Sequence, residues 1–347
     1  MPSAGRRRHR HDWPAAPNGR VLPIDDTHFR SDDVAGRLEP AGRARDRRMK
    51  VLLTTQPLPA ALFIDAIRAR APELELLEYR SSLADPDLAD VDVVLGWQMP
   101  PGLAARLPRA DWVCSVAAGV DKLLAPELAP HVRVSRIVDR EQAAGIAQYV
   151  VAMALRHARS LERYEAQQRA RDWTRRPVPM ARHRVGVLGT GAMGGEIARW
   201  LERCGLVVRG WSRRSPEPFE ALLAASEIVV CALPLTSETE GILDAGAFAS
   251  MPRGGYVINV ARGAHIVEPD LIAAVTSGHL AGAALDVQRR EPLPADDPLW
   301  SVPGITITPH IAAQPSIETV AEQFVASVRA VERGEPLPNE VDRARGY

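Results

Sequence analysis

The residues of this 347-residue chain whose types and spacing could do chemistry gather in its second half, and the first group is a run of glycines. Gly189-Thr190-Gly191-Ala192-Met193-Gly194 follows the apolar stretch Arg184-Val-Gly-Val-Leu and leads into a helix-forming segment, Glu196 to Arg203. Between a strand and a helix, such glycines admit a tight bend, bring backbone N–H groups close to a pyrophosphate, and let helix and strand pack tightly, while the helix N-terminus favours the anion. A second apolar strand arrives about twenty residues later, and its end is where a dinucleotide-binding unit meets the adenosine ribose. NAD enzymes usually place Asp or Glu there, whereas this chain reads Trp211-Ser212-Arg213-Arg214. A hydroxyl and two guanidiniums suit a 2′-phosphate, because arginine makes bidentate, charge-assisted bonds to phosphate oxygens. The pattern predicts a site that prefers NADP(H) without excluding NAD(H). The plainer alternative is a pair of solvated loop charges.

These residues need a scaffold, and the apolar periodicity supplies one. Lys50-Val-Leu-Leu, Val91 to Leu95, Trp112 to Val116 and Val132 to Val134 read as short buried strands, with a helix from Ala60 to Arg70. A proline-free segment from Glu141 to about Gln168 is predicted as one bridging helix. Six further strands follow: the one before Gly189, then Val207 to Trp211, Ile228 to Ala232, Gly255 to Asn259, Ala281 to Asp286 and Ile305 to Thr308. The alternation implies an α/β protein with two doubly wound parallel-sheet domains, a flavodoxin-like substrate domain and a Rossmann cofactor domain, sharing a cleft. An amphipathic helix from Ile317 to Arg333 has a place only if the chain crosses back. The domains are therefore expected at 49–145 plus 314–347, and at 146–313.

Residues 1–48 mix Arg clusters with Pro, Gly and scattered acids, and they carry no core-forming period, so they are expected to be disordered. Asp25, Asp26, Asp32 and Asp33 argue against a transit peptide, and a dispensable extension before Met49 is the simpler reading. Lys plus Arg and Asp plus Glu both total 43, so no net field draws the chain to nucleic acid or an anionic membrane. No apolar run reaches the ~20 residues of a bilayer span, which makes the cytoplasm the expected location. Cys114, Cys204 and Cys231 have no metal-ligand spacing and read as reduced thiols, and no metal site is expected.

Beyond the glycines come Leu233-Pro-Leu-Thr-Ser-Glu-Thr239, Asn259-Val-Ala-Arg-Gly263, Leu285-Asp286, Glu291-Pro-Leu-Pro294 and Thr308-Pro-His310, each after a predicted strand end. As an ordered set over about residues 50 to 335, they resemble the D-isomer-specific 2-hydroxyacid dehydrogenases, and among them the glyoxylate/hydroxypyruvate reductases. The resemblance implies reduction of a small 2-oxo acid, which needs a cation for the carboxylate, an acid for the developing alkoxide, and a partner that keeps the acid charged. It assigns Arg262, His310 and Glu291 to those tasks in that order, with Glu291 favouring the cationic imidazole. It also places Asp286 at the nicotinamide end of the cofactor, Leu233-Pro234 beside the adenosine ribose, and Val260 among the cofactor contacts. The Ala118-Gly119 backbone would hold the substrate carboxylate, with Trp97 closing the pocket, and a homodimer is implied.

Two positions depart from the family pattern. Gln148 stands where an acid is more usual in the bridging helix, and Gln288 stands where an aromatic often follows Asp-Val. They touch packing and substrate preference rather than reaction class. Two other readings compete: a dehydrogenase for a bulkier 2-hydroxy acid or phosphoglycerate, and a nucleotide-sensing binding protein like the C-terminal-binding-protein corepressors, which share the architecture. Turnover of NADPH with glyoxylate discriminates against the last.

Overall fold

The computed structural model describes residues 48–176, 183–343 and 345–346. The segment expected to be disordered, 1–48, lies outside the described residues except for Arg48. The first sheet contains β1 (Lys50–Thr54), β2 (Glu75–Glu78), β3 (Val93–Gly96), β4 (Trp112–Ser115) and β5 (Arg133–Ser135), all parallel, in the order β2-β1-β3-β4-β5. Helix α1 (Ala60–Arg68) and the short α2 (Asp85–Leu88) link the first three strands. Strand β1 reads as an unbroken apolar run because both its faces are covered: Val51 and Leu53 enter one core and Leu52 the other. Strand β2, absent from the sequence reading, lies at the edge, pairs only with β1, and carries a partly exposed Glu-Leu-Leu-Glu.

The single bridging helix is corrected to two, α3 (Arg140–Ala158) and α4 (Leu161–Arg169). Ser160 separates them with φ 54°, a left-handed backbone that cannot continue the helix. The first turn of α3 is capped by Asp139, whose side chain accepts from the Glu141 N–H. Its Ile146, Val150 and Ala154 pack with Ile197 and Leu201 of α5 (Ala192–Arg203) in a core beneath the second sheet.

That sheet holds β6 (Arg184–Leu188), β7 (Val207–Trp211), β8 (Ile228–Cys231), β9 (Gly255–Asn259), β10 (Leu280–Leu285) and β11 (Ile305–Ile307), parallel throughout, in the order β11-β10-β9-β8-β6-β7. Helices α6 (Phe219–Ala225), α7 (Ala245–Ser250) and α8 (Glu268–Thr276) fill the crossovers. The strand order reverses beside β6, which makes the carboxyl end of β6 the expected ligand crevice. The chain then crosses back as α9 (Ile317–Glu332), and its Val320, Phe324 and Val328 enter the core of the first sheet, where Phe324 stacks on Trp112 at 5.3 Å. A final strand-like contact, Val341 N–H to Val134 O at 2.8 Å, fastens the tail to β5.

Candidate active site

The glycine turn joins β6 to α5 in a form that fits a pyrophosphate. Gly189 has φ +96°, and a side chain there would press on the Ala232 carbonyl. A side chain at Gly194 would collide with the Gly189 carbonyl, so this glycine lets α5 sit on the strand end, whereas Gly191 faces open space. Thr190 packs its methyl against Gly210, and Ala192 and Met193 form the first turn of α5. After β7 the chain turns through Ser212, whose N–H donates to Ser215 Oγ at 2.9 Å. Arg213 and Arg214 are exposed, and Arg213 is ion-paired with Glu238 from the loop that follows Leu233-Pro234. Leu233 is buried and the Val260 N–H donates to the Cys231 carbonyl, so the ends of β8 and β9 stand beside the glycine turn. His265 is fully buried and its two ring nitrogens contact the carbonyls of Arg262 (3.0 Å) and Pro234 (3.2 Å), tying that rim to the Arg262 loop.

His310 follows β11 and takes φ 56°, an uncommon backbone for a residue with a side chain. Three donors of this loop hold it in place by converging on Asp286, which is almost fully buried: Thr308 Oγ1 (2.6 Å) and the Ile311 N–H (2.9 Å) reach Oδ1, and the Ala312 N–H (2.9 Å) reaches Oδ2. Tyr149 of α3 extends the chain to Thr308 at 2.8 Å. The Asp286 carboxylate, assigned by resemblance to the cofactor, thus shapes the loop that carries His310.

Glu291 faces the His310 ring at Nδ1, 3.2 and 3.1 Å from its two oxygens. It also accepts from the Gln288 N–H (3.3 Å) and from Lys122 Nζ (3.2 Å). Burial alone would raise this carboxyl, but the hydrogen bond and charge of His310, then Lys122 and the Gln288 N–H, override it and hold it at about 2. Trp97, after β3, presents its ring edge-on to His310 with centroids 5.6 Å apart, and Lys122 Nζ lies 5.6 Å from the same Trp97 ring.

Arg262 follows β9 on a loop pinned by Asn259, whose Nδ2 donates to the Arg262 carbonyl at 2.8 Å and whose Oδ1 accepts from the Ala261 N–H at 3.1 Å. Its guanidinium Nε donates to Asp121 at 2.9 and 3.0 Å, Nη2 lies 2.8 Å from Asp121, and Nη1 donates to the Ala261 carbonyl at 2.8 Å. Gly119 gives the guanidinium room, since a side chain there would overlap Nη2. Ala118 and Gly119 follow β4, so Trp97, Ala118-Gly119, Arg262, Glu291 and His310 all leave the carboxyl ends of strands, from both sheets. Asp121 and Lys122 received no role from the sequence. The available signal was their position directly after the Ala118-Gly119 turn.

Residues 151–312 match the D-isomer specific 2-hydroxyacid dehydrogenase, NAD binding domain, family. A glyoxylate/hydroxypyruvate reductase A of Yersinia enterocolitica is 34% identical over 308 residues, covering 83% of this chain and 96% of that protein. The chain belongs to the D-isomer-specific 2-hydroxyacid dehydrogenase family. As a member of that family it is an NAD(P)-dependent oxidoreductase. Its fold superposes on a D-isomer specific 2-hydroxyacid dehydrogenase of Xanthobacter autotrophicus, solved with NADPH and MES, with a TM-score of 0.79 at 38% identity, over 86% of this chain and 100% of that one. An NADPH-dependent glyoxylate/hydroxypyruvate reductase of Sinorhizobium meliloti, solved with NADP and sulfate, gives 0.79 at 31% identity with the same coverage. No helix among the described residues of this dehydrogenase is long and apolar enough to cross a membrane.

Proposed function

We propose that this chain reduces small 2-oxo acids of the glyoxylate and hydroxypyruvate type to 2-hydroxy acids, with NADPH as the preferred reductant. The observation that carries the reading is the His310–Glu291 pair, 3.1 Å apart, on the same strand-end rim as the Arg262 guanidinium. The bound dinucleotide supplies the hydride. With Glu291 at Nδ1, the other ring nitrogen of His310 serves the substrate and delivers the proton to the carbonyl oxygen. Arg262 polarises that oxygen and holds the carboxylate together with the Ala118-Gly119 N–H groups, and Trp97 walls the pocket. The turn Gly189 to Gly194 takes the pyrophosphate, while Leu233, Pro234 and Val260 flank the cofactor and Asp286 supports its nicotinamide end through the His310 loop. Ser212, Arg213 and Arg214 take the 2′-phosphate.

Steady-state kinetics with a panel of 2-oxo acids, each offered with NADPH and NADH, tests the proposal. Glyoxylate and hydroxypyruvate with NADPH should give the highest kcat/KM. Best turnover of a bulkier 2-oxo acid or a phosphorylated one would replace the substrate class, and no turnover with any would leave a nucleotide-sensing binding protein. We further infer a cytoplasmic homodimer. The three cysteines are free, and Leu161 and Trp173, 46% and 93% exposed, offer apolar surface that a second copy would cover. A monomer in sedimentation equilibrium would overturn the dimer.

A further inference from the structure

Two adjacent residues of the loop after β4, Asp121 and Lys122, each reach a catalytic group on the other sheet, 141 and 169 residues further along the chain. Their charges are opposite, and so are those of their targets. Asp121 meets the Arg262 cation and Lys122 meets the Glu291 carboxylate. The Arg262–Asp121 contact is half-buried, with side-chain exposures of 23% and 20%, whereas the Lys122–Glu291 contact is reached by solvent, at 35% and 22%.

A guanidinium has five N–H donors in a fixed plane. Asp121 engages the side edge, Nε and Nη2, and the Ala261 carbonyl takes one hydrogen of Nη1. What remains is one N–H on Nη1 and one on Nη2, the two nitrogens of the end fork. With its Nε edge held by Asp121, Arg262 meets a planar 2-oxo acid through Nη1 and Nη2, in an orientation set by the substrate-side loop. Glu291 is likewise shared. Its Oε2 serves both His310 Nδ1 (3.1 Å) and Lys122 Nζ (3.2 Å), and the Lys122 ammonium stands behind the carboxylate as a second cation. The other charged groups of the site are the Arg262–Asp121 pair and the buried Asp286, whose carboxylate is turned to the backbone of the His310 loop.

We propose that Asp121 and Lys122 act as a positioning pair: Asp121 aims the end fork of Arg262 at the 2-oxo acid, and Lys122 loosens the hold of Glu291 on His310 so that the imidazolium gives up its proton. Neither residue touches substrate. The proposal rests on the reductase reading above for its substrate class, and the geometry it uses does not depend on which 2-oxo acid is turned over.

The test compares the unmodified protein with Asp121→Asn, Lys122→Met and Lys122→Arg in the full chain. Four quantities are measured: oxalate affinity of the NADP-loaded protein by calorimetry, kcat and KM for glyoxylate across pH, NADPH affinity by fluorescence, and thermal melting. Asp121→Asn should weaken oxalate and lower kcat/KM by about 10²-fold, the scale of a misplaced catalytic group, while NADPH affinity and melting stay at parental values. Lys122→Met removes the competing cation, so reduction should persist to higher pH than in the parent, and Lys122→Arg should restore the parental profile. Parental oxalate affinity in Asp121→Asn, or a Lys122→Met profile superimposable on the parent, overturns the proposal. So does an Asp121→Asn protein that loses NADPH binding or melts far lower, because the residue would then be holding the fold. Failure of the unmodified protein to reduce any 2-oxo acid would sink the reductase reading while leaving the oxalate comparison to judge Asp121.

Discussion

The two ends of the crevice are built on different terms. At the reacting end every functional side chain is braced by another: Glu291 by three donors, Arg262 by Asp121 and the Ala261 carbonyl, His310 by a loop drawn onto the buried Asp286. At the proposed adenosine end, Arg213 and Arg214 stand exposed on a turn, and Arg213 is ion-paired with Glu238, itself 64% exposed. Chemistry requires placement to a fraction of an ångström and is met by several mutually braced contacts, whereas discrimination between two dinucleotides needs only charge near a phosphate. Substitutions at the first end should therefore cost orders of magnitude, and those at the second end should shift a preference.

The largest effect is expected at His310. His310→Ala removes the proposed proton donor, and kcat for glyoxylate reduction should drop by about 10²–10⁴-fold with NADPH affinity retained; near-parental turnover would reassign the acid. Glu291→Gln comes next, and here the sign can be worked out. A carboxyl held at about 2 is ionised at every working pH and places a fixed negative charge beside the imidazole. Glutamine removes that charge and the cation loses its partner, so the alkaline limb of the kcat/KM profile for reduction should move to lower pH. An unmoved limb would break the contrast at its strongest point. Neutralising Arg213 and Arg214 together should reduce the ratio of NADPH to NADH kcat/KM by about tenfold, less than buried charge-assisted bonds would give because both groups face water. Reduction with NADH should stay unchanged. The smallest effect belongs to Glu238→Gln, which removes one carboxylate paired with Arg213 and should tighten NADPH by a factor of about 2–5. A looser NADPH complex would show that Glu238 supports the phosphate site rather than competing for it.

The same contrast separates what the amino-acid sequence discloses from what only the fold does. The inner strands β6, β8 and β9 of the second sheet are legible because parallel strands covered on both faces are nearly continuous apolar runs, and the glycine turn announces itself by spacing. Strand β2 is not legible, because an edge strand with two glutamates carries neither a continuous run nor a clean alternation. The break at Ser160 is invisible to periodicity, since the residues on either side are good helix formers and a single left-handed residue leaves no mark on the spacing. Arg262, Glu291 and His310 could be picked out as an ordered set. Asp121 and Lys122 could not, because their part depends on an approach between loops of two different sheets that no local spacing records. Asp286 was legible as a position and not as an act, since three hydrogen bonds to its own loop are a property of the folded backbone.

The return of α9 to the first sheet also orders events during synthesis. When the ribosome has released the chain as far as Pro309, all six strands of the second sheet are present, but the core under β1 and β4 still lacks Val320, Phe324 and Val328. Each of those side chains contributes about 1.5–3 kcal/mol on burial, and until they arrive the face of Trp112 that Phe324 covers stays wet. The nucleotide-binding half can thus fold on the nascent chain while the half bearing Trp97, Gly119 and Asp121 waits for the last segment. Catalytic competence waits until α9 joins β1 and β4 in one core.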